Sequence, residues 1–243
     1  MTGRLIGIGL GPGDPELLTL KAVRLMRAAP VIAYPLAEGG ESLARAIAAP
    51  HLPGGQDEIA IPLCMSADRA PGQGAYDRAA PRIAAALEAG RDVAVLCEGD
   101  PLFYGSFLQL LARLGPRHPV EIVPGVSSVM AAAARARHPL SARADRFAVL
   151  PATLPDGALR AAIEAAESVA ILKLGRHFAR VKALIEDMGL TGRATYAERV
   201  GQPGERVLPL GETGGAAPYF ALILIYRGAE PAILASLAAG DAR

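Results

Sequence analysis

The sequence predicts an α/β protein of two domains, a mainly parallel sheet in the N-terminal domain and a mixed sheet in the C-terminal one. Three observations predict it. Short apolar runs alternate with helical-period segments through the first half, the pattern of parallel strands joined by crossover helices. The run Gly115-Pro116-Arg117-His118-Pro119 interrupts that pattern. After Ala194, three strand-like runs follow one another across short polar or glycine-rich loops, which suits antiparallel pairing. The expected domains are therefore 1–115 and 120–243.

The elements follow in order. Leu5–Leu10 is an apolar strand, and Gly11–Asp14 a glycine-proline loop. Pro15–Arg27 places Leu17, Leu18, Ala22, Leu25 and Met26 at helical spacing, with Pro15 in the first turn and Asp14 as its cap. Val31–Tyr34, Glu58–Leu63 and Asp92–Cys97 read as strands; Glu41–Ala49, Ala75–Ala89 and Phe103–Leu114 read as helices. The run Val93-Ala94-Val95-Leu96-Cys97 is apolar throughout, as in a strand covered on both faces. Beyond the break come strands Val120–Val123, Phe147–Leu150 and Val169–Leu174, with helices Ser127–Arg137, Gly157–Ala166 and Phe178–Met188. Ala194–Arg199, Arg206–Pro209 and Phe220–Tyr226 are the closing strands.

Composition narrows the function classes. The 243 residues are 51% hydrophobic with a formal net charge of +1, enough for a buried core and without the basic excess of a nucleic-acid binder. The two cysteines, Cys64 and Cys97, make neither a disulfide framework nor a cysteine-rich zinc site, and they read as small apolar residues. His51, His118, His138 and His177 show no metal-ligand spacing, so no bound metal is expected. No apolar run reaches the roughly 18–20 residues that span a bilayer, and the start has no signal-peptide layout, so a cytoplasmic protein without a membrane partner is expected.

Three glycine-bearing segments stand at strand ends. The first is Gly7-Ile8-Gly9-Leu10-Gly11-Pro12-Gly13-Asp14. It fails the G-x-G-x-x-G dinucleotide pattern, because the third glycine falls on Pro12 or Asp14. It also fails the phosphate-loop pattern, because Asp14 follows Gly13 where a lysine belongs. A plain strand-to-helix turn and a ligand loop both remain open. The second is Glu98-Gly99-Asp100-Pro101-Leu102-Phe103-Tyr104-Gly105, just past a buried strand, where open α/β sheets bind ligands. Gly99 offers backbone access; Asp100 either accepts from a ligand hydroxyl or ammonium, or caps a helix starting at Pro101. The third is Val123-Pro124-Gly125-Val126-Ser127-Ser128, in which Ser127 or Ser128 caps a helix or meets a ligand carboxylate.

Together with HPLSARADRFAVLPAT and YFALILIYRG, these segments make the chain resemble the tetrapyrrole (class III) S-adenosylmethionine-dependent methyltransferases from about Leu5 to Gly228. The stretches AYPLAEGGESLARAIA, LCEGDPLFYGSF and VLPATLP are most similar to the branch that methylates precorrin-2 at C20. The resemblance implies a homodimer, each chain folding S-adenosylmethionine into a cleft between its two domains. It implies cofactor contacts at Pro12, at Glu98, Gly99, Asp100, Phe103 and Tyr104, and at Ser127 and Ser128. Leu174, Gly201 and Ala221 complete the set. The implied partner is precorrin-2 or a related reduced tetrapyrrole, and the by-product S-adenosylhomocysteine.

Departures from the family also count. Relatives that methylate uroporphyrinogen III carry an acidic residue after the second strand, where this chain has Pro35. Many relatives have a glycine-containing turn before Pro139-Leu140, where this chain has Arg137-His138. Methyl transfer to an electron-rich ring carbon needs alignment more than base catalysis, but a proton must afterwards leave. Asp14, Glu98 and Tyr34 are the candidates to take it. A substrate rich in carboxylates wants basic partners, and Lys21, Arg45, Arg176 and Arg199 are the candidates. Rival readings are the cobalt-containing substrate, another corrin-ring position such as C11 or C17, RNA 2′-O-methylation, and a non-catalytic tetrapyrrole carrier.

Overall fold

The structure is a computed structural model that describes residues 2–37, 40–63 and 69–228. Cys64, one of the two cysteines, lies outside the described residues. The chain divides into two compact units, one ending at Ser127 and the other beginning at Ser128.

The first unit alternates strand and helix: β1 Leu5–Gly9, α1 Leu20–Ala28, β2 Val31–Leu36, α2 Leu43–Ala48, β3 Asp57–Pro62, α3 Arg69–Glu88, β4 Val93–Cys97, α4 Phe107–Leu114 and β5 Val120–Val123. The five strands form one parallel sheet in the order β3-β2-β4-β1-β5. Alternation along the strands builds two core layers. Leu5, Val31, Val93, Val95 and Cys97 pack with Ile83 and Leu87 of α3 and Phe107 and Leu110 of α4. Ile6, Ile8, Ile32, Ala94 and Leu96 pack on the other face with Leu25 and Met26 of α1 and Ile47 of α2. Gly7 is bare because the Phe107 ring lies on it, 2.8 Å from where a Cβ would sit.

This topology fixes where a ligand belongs. From β1 the chain crosses one face toward β2, and from β4 it crosses the other face toward β5. Neighbouring strands whose connections leave in opposite directions open a crevice outside their carboxyl ends. The loops beginning at Leu10 and Glu98 stand at that switch point.

The second unit holds α5 Ser128–Ala136, β6 Phe147–Pro151, α6 Asp156–Glu164, β7 Ser168–Leu172, α7 Phe178–Asp187, β8 Ala194–Glu198, β9 Arg206–Pro209 and β10 Ala221–Tyr226. Its sheet runs β6-β7-β10-β8-β9, with β6 and β7 parallel and the remaining pairs antiparallel. The mixed sheet is as expected. β10 is buried along its whole length because it is the central strand, which accounts for the apolar run Ala221-Leu222-Ile223-Leu224-Ile225-Tyr226.

Some boundaries move. The break expected at Gly115–Pro119 lies later, because Val120–Val123 pairs with β1 and completes the first sheet. The helix expected over Pro15–Arg27 is a 3-10 turn at Pro15–Leu17 followed by α1. Leu18 is extended, and the Thr19 hydroxyl caps α1 by accepting from the Ala22 N–H at 3.1 Å. The helix expected from Phe103 begins at Phe107, because Tyr104 takes a left-handed φ of 57° that a helix does not continue through. Pro101 therefore opens a turn and not the helix. Among the described residues, no helix is long and apolar enough to cross a membrane.

Candidate functional site

The loops after β1 and β4 continue to pair beyond the strands. The Leu10 N–H donates to the Cys97 carbonyl at 2.9 Å. Gly11 and Gly99 form an antiparallel bridge, at 2.7 Å from the Gly99 N–H and 3.2 Å from that of Gly11. Both glycines have positive φ, 77° and 66°, where a side chain is strained. The third turn seats against both. A Cβ at Gly125 would lie 2.1 Å from the Gly99 carbonyl oxygen, and one at Gly9 would lie 2.4 Å from the Gly125 nitrogen. Three turns distant in sequence thus meet backbone to backbone. Gly99 alone of these has open space where its side chain would be, with nothing within 4 Å.

The side chains around this junction divide into buried and open. Pro12 is buried. Burial lifts the Glu98 pKa above the usual carboxylate value, against the smaller opposing pull of its own backbone amide and that of Ala44 at the start of α2. Asp100 does not cap a helix. Its Oδ1 accepts from the Leu102 N–H at 2.9 Å and its Oδ2 from the Gly125 N–H at 3.0 Å. Leu102, Phe103 and Tyr104 are exposed, and the two rings meet edge to face at 5.3 Å. Ser127 and Ser128 follow the third turn, each half-buried.

Other candidates stand in settings of their own. The Asp14 Oδ1 accepts from the Glu16 N–H at 2.9 Å and caps the 3-10 turn. The Tyr34 hydroxyl donates to Glu58 at 2.6 Å, and Arg45 grips the same carboxylate at 3.0 Å. Burial, followed by that hydrogen bond, raises the Tyr34 pKa, so the phenol is held neutral and its proton is engaged. Tyr34 is thus a poor proton acceptor. Lys21 pairs with Glu121 at 2.7 Å, so two of the four expected basic contacts serve ion pairs inside the first unit. In the second unit, Arg176 and Arg199 are exposed.

Three further residues lie in the second unit. The Leu174 side chain is buried in the core and its carbonyl accepts from the His177 N–H at 2.7 Å. Gly201 has a φ of 74°, and its N–H donates to Glu205. Ala221 pairs with Glu198 across β10 and β8. Cys97 is buried, and burial pushes its thiol pKa up, which removes it as a nucleophile. Among the described residues, no three His, Cys, Asp or Glu side chains group as metal ligands. The contacts missed from sequence are those of Gly9 and Gly125 with the second turn and with each other. Each is a backbone contact between distant segments, and no spacing within one motif announces it.

Comparison with known proteins follows the geometry. Residues 4–213 match the family described as Tetrapyrrole (Corrin/Porphyrin) Methylases. The chain is 44% identical over 241 residues to Cobalamin biosynthesis protein CobIJ of Mycobacterium tuberculosis, covering 96% of this chain and 47% of that protein. It therefore spans about half the length of that relative. It is 38% identical over 232 residues to Precorrin-2 C(20)-methyltransferase of a Sinorhizobium species, covering 92% of this chain and 95% of that one. The crystal structure of Uroporphyrin-III C-methyl transferase from Thermus thermophilus complexed with S-adenyl homocysteine superposes with a TM-score of 0.64. It is 28% identical, covering 91% of this chain and 97% of that one.

Proposed function

Because the chain belongs to the tetrapyrrole (corrin/porphyrin) methylases, we propose that it transfers a methyl group from S-adenosylmethionine to C20 of precorrin-2, giving precorrin-3A in corrin-ring synthesis. The observation that carries the reading is the β1–β4 switch point, where three glycine turns meet backbone to backbone. The substrate follows from the relative of matching length whose name states that reaction.

The residues present suit the cofactor. Gly99 leaves open space beside a bare backbone, Phe103 and Tyr104 offer exposed aromatic surface, and Pro12 stiffens the facing loop. Ser127 and Ser128 complete the first set of contacts, while Leu174, Gly201 and Ala221 enter on the resemblance alone. S-adenosylmethionine, when bound, supplies a methyl activated by a cationic sulfur. The chain's own work is to hold the ring carbon and that methyl in line and to exclude water. Among Asp14, Glu98 and Tyr34, Glu98 is the proposed proton acceptor: it directly follows β4 at the switch point, and burial raises its pKa and so strengthens it as a base. The likeness to the family also supports a cytoplasmic homodimer, which light scattering tests.

The deciding assay incubates purified protein with methyl-labelled S-adenosylmethionine and precorrin-2, or its cobalt form. Label is expected in a trimethylated product. A product mass or position matching C11 or C17 methylation moves the protein to another step, and no label from either substrate removes the proposal.

A further inference from the structure

We propose that Arg176 and Arg199, with the exposed aromatic pair Tyr219 and Phe220, form a seat for the carboxylate-bearing rim of the substrate at one edge of the second sheet, a reading that rests on the methyltransferase assignment above. Strand β10 lies between β7 and β8 and runs antiparallel to both. The chain therefore leaves β7 and β8 at the edge where it enters β10. Three segments come together there: residues 173–177 after β7, residues 199–201 after β8, and Tyr219-Phe220 before β10. The Arg199 N–H donates to the Phe220 carbonyl at 2.8 Å, which ties two of them together. Across two strand spacings, the backbones of Lys173 and Arg199 stand about 10 Å apart.

The backbone and the charge both mark this edge as a place for an anion. Among the described residues, five non-glycine residues take a left-handed φ, and four of them are basic. Lys173 at 60° and Arg199 at 50° are two of the four, each directly past a strand. A side chain is strained in that region, and such strain gathers where a residue serves function. The nearby carboxylates leave the charge uncancelled, because Glu198 is engaged by Arg206 at 3.5 Å and Glu205 by Arg135 at 3.4 Å. Among the described residues, no carboxylate pairs with Arg176 or Arg199, and both are exposed. The Tyr219 and Phe220 rings are exposed too and meet edge to face at 5.0 Å. Guanidiniums beside bare aromatic surface suit a ligand that is apolar at its centre and anionic at its rim. A reduced tetrapyrrole with carboxylate arms has that chemistry. The cofactor does not, because its carboxylate comes with an ammonium and a sulfonium that guanidiniums repel. The resemblance gives Leu174, Gly201 and Ala221 to the cofactor, each within two residues of this set, so the two ligands would adjoin.

The test follows binding of sirohydrochlorin, the oxidised octacarboxylate form of precorrin-2, by its own fluorescence. Calorimetry with S-adenosylhomocysteine runs beside it. Arg176→Gln and Arg199→Gln should each weaken sirohydrochlorin binding by about fivefold, and the double variant by at least about tenfold. Arg176→Lys and Arg199→Lys should recover most of the loss. Added salt should weaken the wild type more than the double variant. Tyr219→Ala should weaken binding at every salt concentration, since a ring face carries no net charge. Arg193→Gln, at the opposite edge of the sheet, should bind as wild type does. S-adenosylhomocysteine affinity should stay within about twofold throughout. If Arg199→Gln does not fold, Arg199→Asn replaces it, because asparagine tolerates a left-handed φ. Unchanged sirohydrochlorin affinity in the double variant overturns the seat, even if the wild type methylates precorrin-2. So does a parallel loss of S-adenosylhomocysteine affinity, which would give the arginines to the cofactor. Arginine-dependent sirohydrochlorin binding by a wild type that binds no S-adenosylhomocysteine keeps the seat and removes the methyltransferase reading.

Discussion

His138 ends the turn after α5, with one ring nitrogen 3.1 Å from the Thr195 hydroxyl and its ring nearly perpendicular to that of Tyr226. Its Nε2 is buried with no hydrogen-bond partner, so a proton placed there meets no acceptor. Burial accordingly drives its pKa from 6.5 down to about 4. The folded value lies below the unfolded one, so the neutral ring's stability is intact above pH 6.5 and is lost as pH falls toward 4. The span corresponds to about 3 kcal/mol at most. Urea denaturation of wild type and His138→Leu at pH 7, 6, 5 and 4 reads this as a difference, since other groups titrate in both. The wild type is expected to lose stability relative to the variant across that window; parallel curves would contradict it. Legibility at this scale was uneven. Glu98 and Asp100 stand out because they follow a strand buried on both faces. Tyr34 resembles them in position, but Glu58 lies on a neighbouring strand, and a linear reading does not show that the phenol is already engaged.

Among the elements, buried strands were the most readable, because a run such as Val93–Cys97 is apolar on both faces whatever surrounds it. Helix starts were less so. The first turn of α4 is set by the left-handed Tyr104 and by Gly105, whose Cβ would lie 2.3 Å from the Pro101 carbonyl oxygen. Periodicity carries neither fact. The three glycine turns were legible as turns, while their mutual contact was not, because it depends on β5 lying beside β1. That contact separates the glycines by experiment. Gly9→Ala and Gly125→Ala drive a methyl into backbone, which must shift, at a cost of about 1–3 kcal/mol. Gly99→Ala costs about 1 kcal/mol for its positive φ, but its methyl enters open space. Denaturation should therefore rank Gly9→Ala and Gly125→Ala as the less stable variants. Calorimetry should find S-adenosylhomocysteine binding lost in Gly99→Ala even where the fold survives. A Gly99→Ala variant that binds like wild type would place the ligand away from this crevice.

At the scale of the whole chain, the division into two units was visible in the sequence, but its place was not. A glycine-proline run looks like a linker, and only strand pairing reveals that Val120–Val123 still belongs to the first sheet. The near-zero net charge also acts at this scale, since it gives the molecule no long-range attraction for a polyanion. What it does allow is a ligand held by shape and by a few convergent groups, and such binding must appear as stability. A ligand that binds only the folded state adds about 2.7 kcal/mol at one hundred times its dissociation constant. In a chain of this size each kcal/mol raises the melting temperature by about 2–4 °C, so the expected rise is roughly 5–10 °C. The chain has no tryptophan, so scanning calorimetry is the suitable readout. S-adenosylhomocysteine should produce that rise on its own, because the proposed contacts at Pro12, Gly99, Phe103 and Tyr104 require no tetrapyrrole. A corrinoid that stabilises the protein while S-adenosylhomocysteine does not would instead describe a carrier, one that shelters the ring without methylating it.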